Sequence, residues 1–185
     1  MISHYENSDN IAEYSNFKVI KSSSSDAYAK APPSTRHQLI STYICREISL
    51  YIYNNKGACQ VFAAPFAVYL NGNDANYVEP DISVVCDPKK IKPKGCYGSP
   101  DWVIEIVSPS TRSNDYITKK NNYLNAKVKE YWIVDPLSFQ ISVFDFEHNS
   151  KKQYTFYDIV PCHIYQGFSI DFSEILLQIK QCSNT

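Results

Sequence analysis

A chain of 185 residues with 44% hydrophobic content is the size of one self-supporting domain and is too apolar to be disordered throughout. Its formal charge of −1 supplies no global positive field, so a polyanionic partner would have to be met by local patches. No apolar run reaches the ~18 residues of a membrane span and the start carries no secretory core, which predicts a protein with no membrane segment. The six cysteines, Cys45, Cys59, Cys86, Cys96, Cys162 and Cys182, form no CxxC pair and have no histidine at zinc-finger spacing. That pattern predicts free thiols and a reducing, cytoplasmic setting.

In chain order, residues 1–30 read as a flexible N-terminal segment with a short edge strand at Phe17 to Ile20, followed by a serine run. One domain is expected over 31–180. Pro32 and Pro33 precede a predicted helix over 35–53, capped by Ser34 or Thr35, with Ile40, Ile44 and Ile48 as its apolar stripe. Gly57 is the expected left-handed residue that ends it. Strands follow over 59–70, with a bend at Pro65, then over 78–86 and 102–107, the last apolar on both faces. A Lys- and Gly-containing loop is expected between the second and third. Next come a helix over 113–127, a strand at 131–134, a hairpin partner at 140–146, a strand near 154–157 and a short helix over 172–179. Fifteen Tyr and nine Phe suit such strands. The order predicts an α/β fold, a mixed central β-sheet flanked by helices.

Two carboxylates stand out. Asp81 opens the apolar strand Ile82 to Val85, and Glu105 interrupts Trp102 to Val107. A carboxylate in a buried strand is costly unless it is paired or holds a metal. Asp101 shares a strand face with Glu105, but four residues at ~3.3 Å rise separate them by about 13 Å, too far to share one ion. Metal-assisted phosphodiester cleavage needs two such acids and a nearby cation. Asp115, Lys119 and Tyr123 fall at i, i+4 and i+8 of the predicted helix. Two readings stand at this point: Lys119 reaches back to the acids, or an exposed Asp115–Lys119 pair merely supports the helix. His37 is a candidate substrate contact or a local packing residue, and Glu47 an additional metal ligand or a surface acid. Lysines 89, 90, 92 and 94 are either a polyanion patch or solvated surface.

Several stretches together resemble the Uma-two family of bacterial proteins, a domain of unknown function with a restriction-endonuclease-like fold. They are PPSTRHQLIS (32–41), APFAVYL (64–70), PDISVVCDPKKI (80–91), GSPDWVIEIVSPST (98–111), the helix positions Asp115, Lys119 and Tyr123, and EYWIVDP (130–136). The resemblance implies a PD-(D/E)XK nuclease core in which Pro80-Asp81 is the PD and Glu105 the second acid. The usual lysine two residues after that acid is replaced by Val107, and the resemblance implies its transfer to Lys119. The expectation is an endonuclease acting on DNA with Mg²⁺ or Mn²⁺. Asp81, Glu105 and the backbone carbonyl of Ile106 would be metal ligands, Lys119 would position water, and a homodimer would cut both strands. The alternative is a catalytically inactive nuclease-fold module that binds nucleic acid or a protein.

Overall fold

The structure, a computed structural model, describes residues 33–73, 75–109 and 111–183. The predicted N-terminal edge strand lies outside them. Helix α1 (Thr35–Asn54) starts where Ser34 accepts the His37 N–H at 3.2 Å. Ile40, Ile44, Ile48 and Ile52 are buried, the stripe that a 3.6-residue period brings to one side. The left-handed residue at its end is Lys56 (φ 53), one place before the expected Gly57. Gly57 instead donates to the Ile52 carbonyl at 2.8 Å, and a Cβ there would stand 3.3 Å from the Ile52 side chain.

The central sheet has the order β1-β3-β6-β7-β8-β9, formed by β1 (Gln60–Ala63), β3 (Ile82–Val85), β6 (Trp102–Ile106), β7 (Glu130–Asp135), β8 (Gln140–Asp145) and β9 (Ser150–Thr155). Within this sheet, among the described residues, only the β6–β7 pair is parallel, and the crossover between them carries the second helical stretch. That stretch runs without a break through α2 (Arg112–Asn114), a π turn (Asp115–Lys119) and α3 (Lys120–Asn125). Trp102, Ile104, Ile106, Trp132 and Val134 face one core, which also holds the α1 stripe and Phe172, Ile175 and Ile179 of α4 (Phe172–Ser183). Val103, Val107, Tyr131 and Ile133 face a second core with Tyr123 of α3. A strand covered on both faces is apolar throughout, which is why β6 and β7 read as continuous apolar runs.

The expected strand over 59–70 is divided. After β1 the chain bends at a cis Ala64–Pro65 bond, and β2 (Val68–Tyr69) joins a separate small sheet of order β2-β5-β4. The expected lysine loop holds a 3₁₀ turn (Pro88–Lys90) and the hairpin of β4 (Ile91–Lys92) and β5 (Gly95–Tyr97). Gly95 is required there: at φ +143 it lies against Ala67, whose carbonyl oxygen would be 2.2 Å from any Cβ. The strand expected at 154–157 begins earlier, as β9, and β10 (Ile159–Pro161) pairs with β11 (Ser169–Asp171). Among the described residues no helix is long and apolar enough to cross a membrane.

Cys59 and Cys86 are disulfide-bonded, which corrects the expectation of free thiols for this pair; Cys45, Cys96 and Cys162 are free. The pairing Gln60↔Val85 sets the next residue of each strand opposite the other, a proximity that a separation of 27 residues hides in the sequence. The bond also removes the thiol pattern as support for the expected cytoplasmic setting. Unreduced, denatured protein should titrate two fewer thiols than the reduced protein. Loss of the bond in Cys86→Ser should lower unfolding free energy by roughly 2–4 kcal/mol in urea titrations.

Candidate active site

The β3–β6 ladder makes the first contact. Ile82 pairs with Ile104, so one step further Asp81 stands opposite Glu105, on the face covered by α3. Asp81 Oδ2 accepts the Ile106 N–H at 2.9 Å and lies 3.2 Å from His37 Nε2 at the start of α1. Glu105 is 3% exposed. Its Oε1 accepts the Tyr123 hydroxyl at 2.7 Å, and Lys119 Nζ lies 3.0 Å from its Oε2. The same ammonium sits 2.7 Å from Asp115 Oδ1, and Tyr131 donates its hydroxyl to the Asp115 carbonyl at 3.1 Å.

The π turn explains how three helix residues share one target. Eight residues of regular helix rotate by about 80°, enough to swing one end of the set away from the sheet. A wider turn advances less per residue and takes up that drift. Asp115, Lys119 and Tyr123 are 1%, 8% and 0% exposed, which decides against the reading of a solvated helix pair. His37, left open above, is brought to Asp81. Glu47 is not brought in: it lies ten residues, about 15 Å, further along α1 and pairs with Arg46 at 2.8 Å. Asp101 accepts the Cys86 N–H at 2.8 Å and pairs with Lys129 at 3.0 Å, a structural tie. Tyr131, in the strand expected at 131–134, also braces the site; an apolar strand pattern carries no signal for its hydroxyl.

A family model described as "Putative restriction endonuclease", Uma2, matches residues 24–173. The chain belongs to the Uma2 family. It is 30% identical over 122 residues to an uncharacterized protein, slr1290, of Synechocystis sp., a match that covers 63% of this chain and spans 60% of that relative's length. A crystal structure of a putative nuclease belonging to DUF820 from Anabaena variabilis superposes with a TM-score of 0.61 at 18% identity, over 80% of this chain and 84% of that one. The fold is therefore that of the restriction-endonuclease-like proteins, with Asp81 and Glu105 on neighbouring strands.

The electrostatics of this Uma2 site are unbalanced. Asp81, Glu105 and Asp115 face one ammonium, so with all three acids ionised a negative charge remains even with His37 protonated. Burial, together with the nearby Asp81 and Asp115, pushes the Glu105 carboxyl up to about 7, against the pull of Lys119 and Tyr123. Burial also opposes the charge on Lys119, but Glu105 and Asp115 outweigh it and hold the amine in its ammonium form. Desolvation pushes the half-buried Asp81 carboxyl up, yet the His37 ring, the Ile106 N–H and Lys119 outweigh it and keep it below the usual range. The excess of anionic oxygen fits a hard divalent cation, which takes one or two carboxylates and completes its shell with water and phosphate. Among the described residues no three of His, Cys, Asp and Glu converge into a ready-made cage, so the protein would supply only that small set.

Removing the ammonium should be expensive. Lys119→Met strands two buried carboxylates and should cost about 3–5 kcal/mol in urea unfolding at pH 8. Glu105 titrates near 7 when folded and near its ordinary 4.5 when unfolded, so the folded state takes its proton first as pH falls. Without the pull of Lys119 that carboxyl rises further, so the variant takes its proton at a higher pH than the wild type, and the penalty in Lys119→Met should shrink as the unfolding is repeated from pH 9 down to 7. An unchanged penalty would place the burden elsewhere.

Proposed function

We propose that this Uma2 protein is a metal-dependent endonuclease that hydrolyses phosphodiester bonds in DNA, with Mg²⁺ or Mn²⁺ held by Asp81, Glu105 and the Ile106 carbonyl. The observation that carries this reading is the convergence of Asp81, Glu105 and Lys119 from two strands and a helix, with Lys119 3.0 Å from Glu105 although Val107 fills the usual lysine position. A metal bound there supplies Lewis-acid polarisation of the phosphate and acidifies its water. The protein's own groups do the rest. Lys119, kept as an ammonium, donates and does not take a proton; it orients the attacking water and offsets charge on the phosphate oxygens. Tyr123 and Asp115 fix Glu105 and Lys119, and Tyr131 fixes the Asp115 backbone. His37 and the Ile106 N–H hold one Asp81 oxygen, leaving the other directed to a ligand. Water attacks phosphorus and gives up its proton to solvent, one P–O bond to the sugar breaks, and the departing oxygen is protonated by solvent.

Substrate phosphates would meet the lysines of the 89–94 hairpin and Lys120 of the second helix. A homodimer would present two sites to the two strands of a duplex.

Supercoiled plasmid with Mn²⁺ should be nicked by the wild type. Asp81→Ala, Glu105→Ala and Lys119→Ala should each reduce the rate at least a hundredfold. Nicking that survives both carboxylate substitutions would remove the proposed site. In a second measurement, Mn²⁺ at millimolar concentration should raise the wild-type Tm but leave that of Glu105→Gln unmoved. A Mn²⁺-induced Tm rise abolished in Asp81→Ala, without cleavage of any nucleic acid, would establish the inactive binding module instead.

A further inference from the structure

The small sheet beside the site carries a row of tyrosines. Tyr69 of β2 pairs with Tyr97 of β5, and the isolated bridge Val68↔Val78 sets Tyr77 on the other side of Tyr69. The rings follow the backbone register: Tyr69 to Tyr97 is 4.5 Å between centroids and stacked, and Tyr69 to Tyr77 is 5.5 Å and tilted. Tyr69 is buried in the middle, while the outer two rings are each half-buried and so present part of their surface to solvent. One step beyond Ile91↔Cys96, the β4–β5 register sets Lys90 next to Tyr97. Its Nζ donates to the neutral Ser99 carbonyl at 2.8 Å, so its charge is not cancelled there. Lys89, Lys92 and Lys94 are exposed on the same hairpin, where Asp87 is the single acid between residues 86 and 98. Burial and the nearby Glu79 raise the Tyr77 hydroxyl above its usual range.

We infer that the Tyr77–Tyr69–Tyr97 row with its lysine hairpin is a binding platform for an unpaired stretch of DNA. Partly exposed tyrosine rings flanked by lysines match what a single strand offers, since every base has a stacking face and every linkage a negative charge. A duplex hides its base faces, and its phosphates alone would need no tyrosines. The platform is tied to the cleavage site by the chain itself: Tyr77 precedes Asp81 by four residues, so the two are at most about 14 Å apart, the span of roughly four stacked nucleotides. This inference rests on the nuclease reading for its choice of ligand and names the substrate class of that site, DNA with a single-stranded segment next to the scissile bond.

The test is fluorescence anisotropy of a labelled oligothymidylate and of a duplex of equal length, both in EDTA so that nothing is cut. The single strand should bind more tightly than the duplex. Tyr77→Leu and Tyr97→Leu should each weaken single-strand binding by between about five- and a hundredfold and leave the duplex unchanged. Tyr77→Phe keeps a stacking ring and should bind as the wild type does. Lys92→Ala should flatten the dependence of log affinity on log salt by about 0.7. Equal binding by the leucine variants, or equal losses on duplex and single strand, would overturn the platform; so would failure of Tyr77→Phe in a folded protein. Plasmid nicking without these effects would sink the platform and spare the nuclease. The effects without cleavage of any DNA would do the reverse.

Discussion

The carboxylate of Glu105 is the constraint around which the rest of this molecule is arranged. It occupies the middle of a strand covered on both faces, where an uncompensated charge would cost several kcal/mol. Its compensation comes from one helix, through the Lys119 ammonium and the Tyr123 hydroxyl, and delivering both requires the crossover helix to lie flat on that face with a π turn in the right place. The parallel β6–β7 pair is what that crossover makes possible, and Tyr131 on β7 then braces the helix backbone in return.

A second buried acid shows that burial alone does not make a site. Glu130, on the adjacent strand, accepts the Trp132 indole N–H at 2.6 Å on one oxygen and the His163 and Ile164 N–H groups at 2.9 Å on the other. Neutral donors satisfy it, and they pin the segment leading to α4 against the sheet. Glu105 sits instead among other charges, with Asp81 across the ladder and Asp115 behind the lysine, so its surroundings favour a further cation. The contrast separates an acid satisfied by neutral donors from an acid held among charges.

Lys119 illustrates how an ammonium can reach a strand carboxylate from another element. Val107 packs in the second core with Val103 and Ile133, where an ammonium would be unsolvated. Lys119 approaches the same carboxylate from above the sheet, over the helix face, rather than along the strand. A long side chain with a charged end reaches the same point from either backbone, so the geometry around the carboxylates constrains the site more tightly than chain order does.

Much of this was legible in the residues. Continuous apolar runs marked the buried strands, the isoleucine stripe marked α1, and an acid inside an apolar run marked Glu105 as needing a partner, because these are local consequences of burial and period. The start of an apolar strand likewise marked Asp81, while spacing left Lys119 open and the resemblance pointed to it. What local pattern could not decide was where strands stop and which segments meet. The cross-strand Cys59–Cys86 bond, the division of 59–70 between two sheets, the hairpin in the lysine loop, the contact of His37 with Asp81 and the removal of Glu47 to the far part of α1 all depend on register and on the direction of packed elements. Those are set by the whole sheet at once: a strand's own residues determine that it is buried, and only its neighbours determine what stands opposite each side chain.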